Sequence, residues 1–287
     1  MIGQLILNGF INAALLAPPA VAFTILFGIL KFPNFAIGAY VTVGAFAAFA
    51  VNVQLGLPIW VAVVGAMAAG AAVAWLSDAL VFKPLRGHAP VTLLVVSIAV
   101  AFILEQCVRL FYGGNVRGFD LALERPMRLW GLRITKEQLE ILVISAVITL
   151  LVHLLLTYTA VGKAMRATAD NPGLAEVRGI PHRRIAVFTW LLCGAIFGLS
   201  GFLAGLDLVI EPQIGWNLTI PIFAAAILGG IGSAGGALLG AILVGIAEEL
   251  TVLVLPTTYK VAVGFLIITI LLLFRPHGLF GQAEIKK

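Results

Sequence analysis

The sequence predicts an all-α fold: a polytopic membrane helix bundle of about eight or nine transmembrane segments, some of them broken or half-length. Three observations lead there. Hydrophobic residues make up 61% of the 287 positions before any of the 31 glycines is counted, and charged residues only 11%, against about 25% in a soluble domain. Mean hydropathy is +1.11. The apolar residues fall into runs near the roughly 20 needed to cross a bilayer. So few charges cannot cover a water-exposed surface. A soluble enzyme, a disordered chain and a nucleic-acid-binding domain are therefore excluded.

Polar breaks divide the chain into about nine apolar segments. The first, about Leu5–Leu30, ends at Lys31-Phe32-Pro33-Asn34. The second, about Phe35–Val53, ends at Gly56-Leu57-Pro58. The third covers about Ile59–Phe82, the fourth Pro90–Phe111, the fifth Leu139–Tyr158 and the sixth Ile185–Ile210. The seventh, Ile220–Leu228, is short enough to be a half-helix. The eighth is about Ala237–Leu255 and the ninth Val261–Phe274. The whole chain, 1–287, reads as one transmembrane domain. The N-terminus lacks a basic region and a cleavage motif, so the first span is expected to serve as the insertion signal.

The net charge of +5 is attributed to Lys and Arg in cytoplasmic loops rather than to a nucleic-acid partner. Placing the 159–184 loop inside puts Lys31, Lys83, Arg86, Arg275, Lys286 and Lys287 on the same side, with Lys163, Arg166, Arg178, Arg183 and Arg184. The N-terminus then faces out and the C-terminus faces the cytoplasm. The 112–138 loop disagrees, since Arg117, Arg125, Arg128, Arg133 and Lys136 fall outside.

Two stretches interrupt helical character. Pro18-Pro19 lies inside the first span, where neighbours must satisfy the carbonyl freed by a missing N–H. The run 227–236 is too rich in glycine for a helix interior. It reads either as a tight turn at the membrane surface or as a break along a substrate path. Gly194, Gly198, Gly201 and Gly205 form one helical stripe, and Gly232, Gly236 and Gly240 repeat every fourth residue; both point to close helix packing. The span-embedded charges are Asp78, Glu105, Arg109, Asp207, Glu248 and Glu249. Glu105 and Arg109 have the i,i+4 spacing of a helix-surface pair. Cys107 and Cys193 build no disulfide framework, no His/Cys/Asp/Glu set has metal-ligand spacing, and no phosphate-binding glycine loop is present. The chain itself is expected to hold no metal and no ATP, and to be no enzyme.

The densest polar signal is the 159–184 loop. Asn171 suits a helix N-cap, Pro172 its first position, Gly179 the position past its end, and Pro181 prevents continuation. That predicts a helix of about seven residues outside the bilayer, with Leu174 and Val177 on one face. A helix so short is marginal alone and makes sense docked into another protein.

The pattern Gly162-x-x-x-Arg166-Ala167-x-x-x-Asn171-Pro172-x-x-Ala175-x-x-x-Gly179-Ile180 resembles the ATPase-contacting loop of ATP-binding-cassette (ABC) importer permeases, those of branched-chain amino acid importers above all. Asn34-Phe35-Ala36-x-Gly38-Ala39-Tyr40 is similar to a second segment of that family. The stretch from Pro221-Ile222-Phe223-Ala224 through Gly229-Gly230-Ile231-Gly232-Ser233 is similar to a third, and Phe274-Arg275-Pro276-x-Gly278-Leu279-Phe280-Gly281 to its C-terminal signature. The resemblance spans nearly the whole chain. It implies a multi-pass inner-membrane subunit of a bacterial importer that translocates branched-chain or related amino acids. It also implies a second permease chain (related or identical), two cytoplasmic ATPase subunits that bind ATP and magnesium, and a periplasmic substrate-binding protein. Gly162, Arg166, Asn171, Pro172, Ala175 and Gly179 would form the coupling loop. Asn34, Gly38, Gly229, Gly230, Gly232 and Ser233 would contribute to the path. Ile37 replaces a usual His, and Ala17-Pro18-Pro19 a smoother run; these departures bear on the solute, since the family also handles urea, short amides and some aromatic acids. The alternative reading is a secondary transporter or channel for a small polar solute such as urea or a short amide.

Overall fold

The computed structural model describes residues 2–121, 126–129, 131–253, 256, 259, 260, 262, 266, 269, 270, 273 and 278–280. The helices are α1 (Ile2–Leu30), α2 (Ile37–Phe49), α3 (Ile59–Ser77), α4 (Lys83–Leu85), α5 (Pro90–Tyr112), α6 (Lys136–Tyr158), α7 (Ala160–Asp170), α8 (Pro172–Val177), α9 (His182–Asp207), α10 (Ile214–Gly229) and α11 (Ala234–Thr251). π-helical turns at Ala50–Gln54 and Asp78–Phe82 extend α2 and α3. Seven helices among the described residues are long and apolar enough to cross a membrane, and α10 is a shorter apolar helix. The fold is an all-α polytopic bundle. Most of the ninth run, and residues 274–277 and 281 of the C-terminal signature, lie outside the described residues.

The sequence pattern missed three features. Hydropathy starts the seventh segment at Ile220, whereas α10 begins at Ile214. Thr219 is turned inward, its hydroxyl donating to Gly215 O at 2.8 Å. A polar residue that satisfies itself on the helix does not end it. The 112–138 loop contains a small antiparallel hairpin, β1 (Met127–Leu129) with β2 (Leu132–Ile134), too short for a periodicity signal. The polar 159–184 loop holds two helices, α7 and α8, rather than one.

The chain divides into two compact units. One comprises residues 1–24, 123–151 and 220–287. Within it α1 stays helical through Pro18 and Pro19. Pro18 has no N–H to give Ala14, four residues back, and Ser145 of α6 donates its hydroxyl to Ala14 O at 2.6 Å. The freed carbonyl is thus satisfied from a neighbouring helix, as an apolar environment requires. Gly9 lies against Ile246, and Gly245 against Ala13, so α1 and α11 touch backbone to backbone. Asn12 Nδ2 donates to the buried Glu248 at 2.8 Å, and Lys260 pairs with Glu249.

The other unit comprises residues 25–122 and 152–219. Here α9 crosses α2 and α3 along its glycine stripe. A Cβ on Gly194 would lie 2.6 Å from the Ala74 methyl, one on Gly198 would strike Ala66 O, and one on Gly201 would strike Val41 O. Gly44 and Gly70 make the reciprocal approaches to Gly198. The stripe is a three-helix contact surface in which small residues replace side-chain layers. In the second stripe, Gly236 and Gly240 pack on Gly229 and Ala225, but Gly232 sits in a turn at φ +97° with open space around it. It belongs to the turn and not to a helix face. Arg109 and Glu105 pair at 3.0 Å, as their spacing suggested. Asp78 pairs with Arg86, and Phe82 stacks on Trp190 with centroids 5.4 Å apart.

Candidate functional site

The loop from 159 to 184 is built by three caps in succession. Thr159 begins α7, its hydroxyl accepting from Gly162 N at 3.0 Å and donating to Leu155 O at 2.6 Å. Gly162 has no room for a side chain: a Cβ would lie 2.5 Å from Leu156 Cα. The first turn of α7 therefore folds tightly onto the last turn of α6. Arg166 is exposed and points its guanidinium back to Thr157 O at 3.5 Å, where the carbonyl end of α6 favours a cation. Met165 and Thr168 turn inward.

Asn171 closes α7 and opens α8. Its backbone is extended (φ −151°, ψ 99°), and its side chain accepts from Leu174 N at 3.0 Å. Pro172 follows at the first helical position, where its missing N–H costs no hydrogen bond. At the far end Gly179 takes φ +83°. Gly179 N donates to Glu176 O at 2.9 Å and Ile180 N to Ala175 O at 3.0 Å, the paired bonds of a Schellman stop. Both ends of α8 are fixed by hydrogen bonds.

The faces of α8 differ. Ala175 is buried and packs inward, whereas Leu174 is 57% and Val177 84% exposed. Two apolar side chains thus stand outward on a rigid six-residue helix, flanked by exposed Glu176 and Arg178. Ala175 lies on the buried side of α8, which packs on α7 and α9, and is not part of the outward face. The sequence pattern marked the frame of this site but left unranked the residues that protrude from it.

The residues assigned to a substrate path separate into two places. Asn34 is buried, with Oδ1 accepting from Ala36 N at 2.9 Å. Tyr40 faces Asn34 and Ser77, and Trp190 faces Asp78, while Asn34 Nδ2, the Tyr40 hydroxyl and Trp190 Nε1 are buried without a well-aligned hydrogen bond among the described residues. Gly38 sits where α2 meets α10, a Cβ there falling 2.5 Å from Gly215 O. Gly229, Gly230, Gly232 and Ser233 lie in the other compact unit. They form a tight turn between α10 and α11, with positive φ at Gly230 and Gly232 and Ser233 capping α11 through Gly236 N at 3.1 Å. Leu279 N and Phe280 N donate to Leu228 O and Gly229 O at 2.9 and 3.1 Å. Two motifs distant in sequence are therefore one structure: the C-terminal Gly-Leu-Phe satisfies the last carbonyls of α10.

The long apolar helices and the capped helix pair fit a class, the multi-pass transport permease. The chain belongs to the family described as the branched-chain amino acid transport system permease component, whose model matches residues 5–273. It is 30% identical to the high-affinity branched-chain amino acid transport system permease protein LivH of Escherichia coli K12, covering 99% of this chain and 97% of that protein. It is 29% identical to BraD of Pseudomonas aeruginosa over the same shares. The probable branched-chain amino acid transport permease LivH of Methanocaldococcus jannaschii is 30% identical, covering 97% and 92%. The solved structure of PsaBC from Streptococcus pneumoniae in complex with Fab shares the fold, with TM-score 0.50 and 16% identity over 95% of this chain and 92% of that one.

Proposed function

We propose that this permease carries branched-chain or closely related amino acids into the cell as the membrane subunit of an ABC importer. In this reading a second permease chain completes the translocation pair, and a periplasmic protein delivers the solute. Two cytoplasmic ATPase subunits supply the energy. The N-terminus faces out and the C-terminus in. The observation that carries the reading is α8: a helix capped at both ends, packed on α7 and α9, with Leu174 and Val177 directed outward. A helix that short keeps its shape only because Asn171 and Gly179 close it, and a rigid element passes displacement on to what it touches. Leu174 and Val177 seat in an apolar groove of the ATPase. When ATP closes the ATPase pair, α8 moves with the groove and carries the start of α9, whose glycine stripe crosses α2 and α3.

Replacing Leu174 and Val177 together by Glu is expected to abolish uptake and ATPase co-purification. The amount of chain in the membrane should stay the same. Uptake at the wild-type rate in that variant would sink the docking claim. Purified chain in liposomes is expected to move no solute without its ATPase, whereas a secondary transporter would work alone.

A further inference from the structure

We infer that α9 begins with a binding site for an anionic phospholipid, formed by Arg183 and Arg184 above a groove lined by Val187, Phe188 and Leu191. The groove measures about 420 Å³. Arg184, Val187, Phe188 and Leu191 lie at i, i+3, i+4 and i+7, one face of the helix. Arg183 stands beside them, one turn before Val187. Both arginines are exposed, and neither makes an ion pair among the described residues.

Helix length and the polar start of α9 together place this face at the membrane boundary. The 26 residues of α9 span ~39 Å at 1.5 Å per residue, whereas the hydrocarbon core is about 30 Å thick. Roughly six residues therefore project beyond the core. With His182, Arg183 and Arg184 at the start of α9, the projection lies at that end: the guanidiniums stand in the headgroup layer and the apolar groove runs into the acyl layer. A phosphate fits the upper half, because guanidinium binds it through paired N–H donors. An acyl chain fits the lower half. A free phosphate would leave the apolar half empty. An acidic protein surface would not follow the groove into the bilayer. The two halves on one helix face select a phospholipid with a net negative headgroup. The inference does not depend on which solute the permease carries.

The test uses the full chain purified from nanodiscs of phosphatidylcholine mixed with phosphatidylglycerol, with retained lipid counted by mass spectrometry. Replacing Arg183 and Arg184 by Gln is expected to weaken phosphatidylglycerol retention about 30-fold, the effect of two cations near an anionic headgroup. The Arg183→Lys, Arg184→Lys variant keeps the charges and should retain most of the lipid, which separates loss of charge from loss of folding. Excess inorganic phosphate should displace nothing. Equal retention by the Gln variant and wild type would overturn the site, and so would equal retention of phosphatidylcholine. Displacement by phosphate would overturn the lipid assignment. Loss of ATPase binding with lipid retention unchanged would assign the arginines to a protein contact instead.

Discussion

Gly198 shows what a single residue decides. It meets Ala66 and Gly70 of α3 on one side, and Gly44 of α2 approaches it on the other. No larger residue fits without moving a backbone. Replacing Gly198 by Val is expected to destabilise the chain by several kcal/mol, since overpacking a tight site costs about 1–3 kcal/mol or more. The check is a lowered unfolding temperature in detergent and less chain in the membrane. Asn171 is a different case, because its side chain serves α8 alone. Asn171→Ala removes the cap bond, a loss of about 1 kcal/mol. Uptake should fall several-fold at unchanged membrane level, with Asn171→Asp retaining most of it. Equal uptake in the Ala and Asp variants would mean that the cap does not matter to coupling.

At the scale of elements, α1 and α6 give a sharper test. Proline at position 18 creates an unmet carbonyl on Ala14, and Ser145 meets it. Ser145→Ala should cost about 1 kcal/mol, in the range measured for hydrogen bonds between membrane helices. In a Pro18→Ala background the restored N–H takes over the carbonyl, and the same substitution should then cost almost nothing. A thermal-stability cycle over the four chains measures the coupling. Additive effects would show that the hydroxyl and the proline are unrelated. The α10–α11 turn makes the same point structurally. Leu279 and Phe280 close α10 from some fifty residues away, and Gly278, at φ +73° with its Cβ position 2.5 Å from Ile227 O, lets them approach.

For the whole molecule, the large exposed apolar surfaces of α3, α5 and α6 contrast with the buried lengths of α1, α2 and α9. In a bilayer the first group faces lipid or another membrane chain, whereas each helix of the second is buried among its neighbours. Transport is a property of the assembly in the proposed function. Reconstituted uptake should require the ATPase pair, a second permease chain and the binding protein together, and omission of any one should reduce it to background. Uptake by the permease with its lipid alone would contradict that scheme.

Composition and the spacing of apolar runs determined the all-α bundle, because a chain with 11% charge has only the bilayer in which to hide its surface. Local chemistry was equally readable: Asn171, Pro172 and Gly179 bound α8, since each acts on backbone groups a few residues away. Tertiary structure alone decided the rest. That Ala175 turns in while Leu174 and Val177 turn out depends on what packs beneath α8. That Gly232 leaves its apparent stripe depends on the turn closed from residues 278–280. Ser145 is an ordinary serine in the sequence and becomes the partner of Pro18 only when α6 lies beside α1. These are contacts over long separations, and periodicity along the chain carries no record of which distant backbone will need a hydrogen bond.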